Sequence, residues 1–328
     1  MKAAFAGLRH GHVFTLWRWA QEHPDIEIIG AWEQNAAARE AARERAQVEF
    51  TYDTFEALLA DPAVEIVALG DCYGLRGREA IAALQAGKHI IADKPLCTSL
   101  EELAQIRRLS AEKKLKVSCM LDLRYCFAVQ KARELVESGR LGAIHTVGFN
   151  GQHHLNYGVR PAWYFEEGMH GGTINDIAIH GVDLVRYITG GEFAKTLGAR
   201  CWNAFAKEEP QFADCAQFMA TLTDGTGVLA DVSYAHPGSK FPLHPVWRFD
   251  FWGEKAMMEL TLCDDTLLFA EKDAETPVIF KGEAPQGNGF DDLLADIAGT
   301  PTAHNTESVL RSTEAALRIQ KFAQENDR

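Results

Sequence analysis

The sequence has no long apolar run, no basic tract and no patterned cysteines. No stretch of about 18 apolar residues occurs, so no membrane-spanning helix is expected. The formal net charge is −13, and no cluster of Lys and Arg offsets it, which makes nucleic acid or an anionic membrane an unexpected partner. The seven cysteines form no C-x-x-C pair, as is typical of reduced intracellular thiols. Residues 1–7 carry no secretion signal, so we predict a cytoplasmic location.

The order of strands and helices predicts two domains in these 328 residues. Short apolar strands alternate with helices over residues 1–121, which predicts an α/β Rossmann domain with a parallel doubly wound sheet. Within it, Thr98 and Glu101 are expected to form a capping box. Over residues 122–328 strands follow one another between helices, including a hairpin at Asp224-Gly225. This order predicts an α+β domain with an open, predominantly antiparallel sheet.

A glycine-containing turn at residues 7–12 follows the first strand. Compared with the dinucleotide fingerprint G-x-G-x-x-G, Gly7 is present, Arg9 and His12 replace the other two glycines, and Gly11 comes one position early. Such a turn can aim a helix N-terminus at a pyrophosphate, and the alternative is an ordinary turn between strand and helix. The cofactor-binding candidates here are Gly7, Arg9, His10, Gly11 and His12.

Glu33 follows the second strand, 26 residues after Gly7. A carboxylate at that place can accept hydrogen bonds from the ribose hydroxyls of NAD and repel the 2′-phosphate of NADP. The alternative is a solvated carboxylate at the end of a strand. The sequence therefore predicts NAD, with NADP less favoured.

Asp93, Lys94 and Pro95 follow the strand over residues 89–92. The carboxyl ends of parallel strands are where ligands bind in such sheets. An ammonium group placed there can polarise a substrate oxygen, and Pro95 can take a cis peptide bond. The alternative for this motif is a surface Lys-Pro turn.

A polar stripe marks the apolar segment 171–186. Read as an α-helix, it places Asp176, His180 and Asp183 within about 60° of one another on one face. Burying such a stripe costs several kcal/mol unless it faces partners, water or a ligand. A histidine beside carboxylates suits proton transfer. Asp183 is expected to orient His180 or cap a hydrogen-bond chain, or else to pair with Arg186 or a domain-linking residue.

Residues 151–170 are rich in aromatic and imidazole side chains, which suit stacking on and hydrogen bonding to a polyol. The alternative is a structural or interface loop. Arg160 could instead select a carboxylate on the substrate, and Arg124 is either a substrate or hinge residue or part of a surface salt bridge. The substrate-binding candidates are Arg124, His153, Tyr157, Arg160, Trp163, Asp176 and His180. No metal is predicted, although His153, His154, His170, Asp176 and His180 lie within 28 residues.

Three motifs in this order resemble the glucose–fructose oxidoreductase, inositol dehydrogenase and MocA family (Gfo/Idh/MocA). They are the turn after the first strand, Asp93-Lys94-Pro95 where the family usually has Glu-Lys-Pro, and the D-x-x-x-H helix with Asp176 and His180. The resemblance implies that Lys94 and His180 are catalytic and that Asp176 holds substrate hydroxyls. It also implies cofactor contacts by Asp93, Lys94 and Pro95, and by Asp71 in the loop 70–76, which departs from the family's Thr-Pro-Asn-x-x-His-like segment. A homodimer or homotetramer through the C-terminal sheet is a further expectation from the resemblance.

The sequence and the resemblance together predict an NAD-dependent oxidoreductase. The expected reaction moves a hydride between nicotinamide and a secondary alcohol of a sugar, cyclitol or sugar acid, with His180 as general base alongside Lys94. One alternative is a non-catalytic sugar sensor that binds a nicotinamide nucleotide. Another is a glycosidase that retains NAD and oxidises its substrate only transiently.

Overall fold

The computed structural model describes residues 1–238, 247–283 and 287–326, which divide into two compact units. The first unit comprises Met1–Met120, Pro161–Gly171 and Asn288–Glu314. The second unit comprises Leu121–Arg160, Gly172–Gly287 and Ala315–Arg328. The first unit thus takes in two segments from beyond residue 121, and the predicted division at 121/122 stays a prediction.

The strands and the α-helices of the described chain are each numbered in chain order. The strands are β1 (Lys2–Ala6), β2 (Glu27–Trp32), β3 (Ile66–Leu69), β4 (His89–Ala92), β5 (Val117–Cys119), β6 (Ile144–Gln152), β7 (Phe193–Trp202), β8 (Cys215–Leu222), β9 (Gly227–Ser233), β10 (Trp247–Gly253), β11 (Ala256–Thr261), β12 (Thr266–Glu271) and β13 (Val278–Lys281). The α-helices are α1 (Val13–Glu22), α2 (Ala36–Ala46), α3 (Phe55–Ala60), α4 (Tyr73–Gln85), α5 (Leu100–Lys113), α6 (Phe127–Glu137), α7 (Ile179–Thr189), α8 (Gly289–Ala298) and α9 (Thr306–Asn326). No described helix is both long and apolar enough to cross a lipid bilayer.

The first unit is built on a five-stranded parallel sheet in the order β2-β1-β3-β4-β5. Ala3–Ala6 of β1 are fully buried, because helices cover both faces of a sheet of this kind. The late helix α8 adds Phe290 and Leu293 to the core that contains Phe5 and Leu16. The predicted Rossmann-type sheet is confirmed, and it places the ends of β1, β3 and β4 side by side at its carboxyl edge.

The capping box predicted for α5 is wrong by one residue. Ser99, not Thr98, is the N-cap, and its hydroxyl accepts a hydrogen bond from Glu102 N at 3.1 Å. Glu102 in turn accepts from Thr98 N at 3.1 Å. Because two hydroxyl residues are adjacent and two glutamates follow at the same spacing, the sequence is equally compatible with a capping box that starts at Thr98 or at Ser99.

The second unit contains an eight-stranded sheet in the order β13-β12-β11-β10-β6-β9-β8-β7. All neighbouring strands are antiparallel except β6 and β9, which confirms a predominantly antiparallel sheet. The predicted hairpin at Asp224-Gly225 joins β8 to β9. The helices α6 and α7 pack on one face of this sheet, and no described helix covers the other, which is called the open face.

Helix α7 lies close to β6 because Gly181 has no side chain. A Cβ at Gly181 would stand 2.2 Å from Cε2 of Phe149. That ring is itself held against Phe218 and Phe249, at centroid distances of 5.7 and 5.5 Å. The close approach holds the helix that carries His180 against the sheet.

We expect Gly181→Ala to lower the free energy of unfolding by about 1–3 kcal/mol through overpacking. This cost exceeds the gain of at most ~1 kcal/mol from the better helix propensity of alanine. Gly227→Ala is the matched control, since the nearest atom to its added Cβ is 3.8 Å away. Urea denaturation followed by circular dichroism measures both, and equal midpoints for the two variants would contradict the packing argument.

Candidate active site

The turn after β1 approaches the loop after β3 at Gly7. Gly7 has a φ of +69°, and a Cβ there would lie 2.4 Å from Cβ of Asp71. Both features demand glycine at this position. A Cβ at Gly11 would meet only Nη1 of Arg45, at 3.6 Å, so the turn stays open on that side. A tight turn leading into α1, followed by a carboxylate after β2, fits a dinucleotide.

The Glu33 carboxylate is buried against this turn. It accepts hydrogen bonds from Leu8 N at 2.6 Å and from Asn35 N at 2.7 Å. Burial raises the pKa of Glu33 above its ordinary value, and the two backbone donors oppose that rise. The alternative of a solvated carboxylate is therefore wrong. Each carboxylate oxygen has a second lone pair, so Glu33 can still accept from a ribose hydroxyl.

Asp71 belongs to a buried group of acids beside Arg9. Oδ1 of Asp71 accepts from Cys72 N at 2.6 Å and lies 3.2 Å from Nε of Arg9. Burial, and then the charge of Asp71, raises the pKa of Glu79 well above its ordinary value. The sequence analysis did not identify Glu79.

Lys94 is buried, with 2% of its surface exposed, so the alternative of a surface turn is wrong. The Lys94–Pro95 peptide bond is cis, as the sequence allowed. The Lys94 ammonium nitrogen lies 5.8 Å from the centroid of the Tyr73 ring. Lysine is almost never fully buried unless it is paired, so this degree of burial is unusual for a Lys-Pro turn.

Asp93 is the most constrained carboxylate of the first unit. Its Oδ2 accepts from Nη2 of Arg76 at 2.9 Å and contacts Nδ1 of His10. Burial acts to raise the pKa of Asp93, but Arg76 and His10 together hold it well below the ordinary value. Asp93 is therefore ionised. The predicted cofactor contact by Asp93 stays a prediction, since its carboxylate faces residues of its own unit.

His10 connects Asp93 to two tyrosines. Burial lowers the pKa of His10 to about 3, so its ring is neutral at physiological pH. A carboxylate can only accept, so the single ring proton lies on Nδ1, and Nε2 accepts from the Tyr73 hydroxyl at 3.0 Å. The Tyr73 oxygen then accepts from the Tyr164 hydroxyl at 2.7 Å. In each hydrogen bond of this row, the donor is the residue farther from Asp93.

The segment Pro161–Gly171 adds an aromatic cover to this row. The Trp163 ring lies 5.0 Å from that of Tyr73 and 6.2 Å from that of His10. Met169 O accepts from Gly74 N at 2.9 Å, which fastens the segment to the start of α4. Trp163, predicted as a substrate contact, thus packs within the first unit. Tyr73 was missed because no local pattern connects it to His10.

In the second unit the predicted helix begins with a wide turn. Ile174–Ala178 is π-helical and continues directly into α7. Oε1 of Gln320 accepts from Ile174 N at 2.9 Å and from Asn175 N at 3.4 Å. The expectation of a single α-helix is wrong here, since the first turn is π-helical and its first donors are bound by the side chain of Gln320.

The three polar residues of the stripe have different partners. The Tyr234 hydroxyl donates to Oδ2 of Asp176. Asp183 forms a buried ion pair with Arg124, whose Nε donates to its Oδ2 at 2.6 Å. The His180 ring lies 5.7 Å from that of Trp247. The ion-pair partner of Asp183 is therefore Arg124, and the expected role of Asp183 in orienting His180 stays a prediction.

The remaining substrate candidates lie at varied depths in the second unit. Arg160 donates to Leu155 O at 2.6 Å, and its guanidinium stands 5.3 Å above the Tyr234 ring. The His153 ring lies 5.8 Å from that of Trp247. Tyr157 is 46% exposed. Arg160 and His153 thus share Tyr234 and Trp247 with the stripe, and neither aromatic residue was identified from the sequence.

One group in the described part of the chain has the geometry for a metal ion. The ligand atoms of His10, His12 and Asp93 lie within 4.8 Å of one another. The Arg76 guanidinium already lies 2.9 Å from the same carboxylate, and its positive charge opposes a second cation there. The absence of a metal stays a prediction.

We expect the stability of the protein to fall as the pH drops from about 6.5 towards 3, partly through His10. Its ring takes up a proton with a pKa of 6.5 when exposed and about 3 in the folded state. The unfolded chain therefore binds the extra proton within this window, and acid favours unfolding. In His10→Asn, which cannot titrate, the slope of unfolding free energy against pH should decrease by up to about one proton. Urea denaturation at a series of pH values measures it, and parallel curves would contradict the neutral, buried ring.

Comparison with known proteins finds matching family models and a solved structure with the same fold. A model described as an oxidoreductase family with an NAD-binding Rossmann fold matches residues 1–121, and the Gfo/Idh/MocA C-terminal domain matches residues 129–259. The structure of an inositol dehydrogenase homologue complexed with NAD⁺ from Azotobacter vinelandii has the same fold, with a TM-score of 0.83 at 16% identity over 99% of this chain and 96% of that one.

Two curated relatives are similar in sequence. Levoglucosan dehydrogenase of Pseudarthrobacter phenanthrenivorans is 30% identical over 68% of this chain, and the NAD⁺-dependent scyllo-inositol 2-dehydrogenase of Bacillus subtilis is 29% identical over 60%. The matched segments span 58% and 55% of the lengths of these two proteins. With two family models that together cover most of its length, the chain belongs to the Gfo/Idh/MocA family of oxidoreductases.

Proposed function

We propose that the protein is an NAD-dependent dehydrogenase acting on a secondary alcohol of a sugar, cyclitol or sugar acid. The observation that carries this proposal is Lys94, a buried lysine at the carboxyl end of β4 in an NAD-binding Rossmann unit. The two curated relatives are named for the oxidation of levoglucosan and of scyllo-inositol, both polyhydroxylated rings. We extend that substrate class to this chain.

NAD is the proposed cofactor in preference to NADP. Glu33, Asp71 and Glu79 are all buried near the end of β2, and Arg9 is the cation among them. Glu33 and Asp71 would repel a 2′-phosphate, whereas a ribose hydroxyl can donate to Glu33. Gly7 and Gly11 would leave room for the pyrophosphate.

In the proposed mechanism, each chemical role belongs to one residue. Bound NAD supplies the hydride acceptor. His180 accepts the proton of the substrate hydroxyl on a ring nitrogen, and Lys94 donates a hydrogen bond to the oxygen as negative charge develops on it. Asp176, oriented by the Tyr234 hydroxyl, accepts hydrogen bonds from neighbouring substrate hydroxyls. Trp247 and His153 offer ring surfaces against the carbon face of a polyol.

The reaction is tested by NAD reduction over a panel of levoglucosan, D-xylose, scyllo- and myo-inositol and uronic acids, with NAD and NADP each offered. We expect Lys94→Met and His180→Gln to lower kcat by roughly 10²–10⁴-fold, and calorimetry checks that each variant still binds NAD. Lys116→Met is the matched control, because this lysine is paired with Asp296 at 2.8 Å, and it should keep wild-type turnover.

Wild-type turnover in both variants would reject the assignment of Lys94 and His180. Tight NAD binding without turnover of any compound would favour the non-catalytic sensor. Cleavage of a glycoside without release of NADH would favour the NAD-retaining glycosidase. A cytoplasmic location remains part of the proposal, based on the unpatterned cysteines.

We further propose that two copies of the chain associate through the open face of the eight-stranded sheet. Met219 of β8 and Leu229 of β9 are direct neighbours across the strands and are 45% and 53% exposed. This face contains a depression of about 870 Å³. Four charged residues are among those that line it: Arg200, Arg248, Asp231 and Asp250. Equal numbers of opposite charges around an apolar centre suit a two-fold interface, in which each patch meets its own copy.

We expect Leu229→Glu to reduce the molar mass in solution from that of a dimer or tetramer towards a smaller species, because a carboxylate would be buried at the centre of the interface. Val278→Glu is the matched control, since Val278 is similarly exposed (49%) but lies on the far edge strand β13. Size-exclusion chromatography with light scattering measures both variants. An unchanged mass for Leu229→Glu, or equal losses in both variants, would reject this interface.

A further inference from the structure

Arg76 lies in the first turn of α4 and has no exposed surface. Burial acts to lower the pKa of Arg76, but the charge of Asp93 raises it overall, so the guanidinium is a fully buried cation. Replacing a buried ion pair by apolar residues is often neutral or even stabilising. Stability alone is therefore a weak reason for an arginine here, and its contacts point to another one.

The guanidinium of Arg76 contacts three successive residues of the turn after β4. Its Nη1 donates to Asp93 O at 2.9 Å, to Lys94 O at 2.6 Å and to Pro95 O at 3.2 Å. Its Nη2 donates to Oδ2 of Asp93 at 2.9 Å. Because carbonyl groups on both sides of Lys94 point to one rigid planar cation, the direction in which the Lys94 side chain leaves the backbone is fixed.

His10 holds the same turn from the end of β1. Its Nδ1 donates to Oδ2 of Asp93, and its Nε2 accepts from the Tyr73 hydroxyl at 3.0 Å. The Tyr73 ring faces the Lys94 ammonium at 5.8 Å. The neutral state of His10 keeps the polarity of these hydrogen bonds constant across the physiological pH range. Three adjacent strand ends thus contribute to one assembly around Lys94.

We propose that Arg76 and His10 are positioning residues that set the place of Lys94 for hydride transfer. Neither touches the substrate, and both act through the backbone and carboxylate of the Asp93–Pro95 turn. A displacement of about 1 Å at a reacting group can lower a rate by about 10²-fold, so a clamp of this kind has a measurable effect on kcat. This inference rests on the proposed catalytic role of Lys94.

The first experiment replaces Arg76 by Lys, which keeps the charge but cannot reach three carbonyl groups and a carboxylate at once. With the panel sugar that reduces NAD fastest, we expect Arg76→Lys to lower kcat by about 10- to 100-fold, with the dissociation constant of NAD changed by less than about threefold. Amide hydrogen exchange of a peptide covering residues 89–97 should become faster. Arg186→Lys is the matched control, since Arg186 is also buried but pairs with Glu192, and it should change neither kcat nor this peptide.

A double-mutant cycle separates positioning from a general structural role. In the Lys94→Met background, measured by single turnover, Arg76→Lys should cause little further loss, because the group that it positions is gone. His10→Asn, which keeps an N–H near the place of Nδ1, should retain more turnover than His10→Leu. Equal fold losses from Arg76→Lys in both backgrounds would overturn the proposal.

The hydrogen-exchange measurement needs no substrate and keeps this inference distinct from the proposed function. If Lys94→Met retains wild-type turnover, the catalytic assignment of Lys94 fails, and positioning for catalysis fails with it. If Lys94→Met is impaired but Arg76→Lys leaves both kcat and exchange at residues 89–97 unchanged, only the positioning role is rejected. Faster exchange confined to this peptide, together with a lower kcat, supports the proposal.

Discussion

The ionised Asp93 carboxylate, buried at the end of β4, is the constraint on which the arrangement of the first unit depends. A buried anion needs donors, and Arg76 supplies one from the first turn of α4 and His10 another from the turn after β1. Because Nδ1 of His10 donates a hydrogen bond to Asp93, Nε2 of the same ring must accept one from the Tyr73 hydroxyl. The Tyr73 oxygen in turn accepts a hydrogen bond from the Tyr164 hydroxyl. One charge thereby orders four side chains and the turn that carries Lys94.

The second unit also buries acidic side chains, and each of them has its own partner. Asp183 is matched by Arg124, and Asp176 by the Tyr234 hydroxyl, so the two acids on either side of His180 are engaged by different elements. The π-helical turn at Ile174–Ala178 moves Asp176 out of the α-helical register with His180. The two carboxylates therefore have different partners: Asp183 pairs with a guanidinium, and Asp176 accepts a hydrogen bond from a hydroxyl group.

Much of this could be read from the sequence, for reasons that are local. Strand and helix periodicity predicted both sheets, and the spacing of Gly7, Glu33, Lys94 and His180 predicted the family to which the chain belongs. Arg76, Tyr73 and Tyr234 were missed because their partners lie 17, 63 and 58 residues away, beyond any periodic signal. The π-helical turn was missed because no periodic signal marks it, and Gln320, which binds its first N–H groups, lies 146 residues from Ile174.

The segment Pro161–Gly171 and the helix α8 have a consequence for biosynthesis. Phe290 and Leu293 of α8 belong to the same core as Phe5. Tyr164 of the segment Pro161–Gly171 is the last member of the hydrogen-bonded row that begins at Asp93. A nascent chain usually folds its N-terminal domain first, as soon as it leaves the ribosome. Here the core of the first unit is complete only once Phe290 and Leu293 have been synthesised, so we expect its early strands to lack part of their packing until late in synthesis.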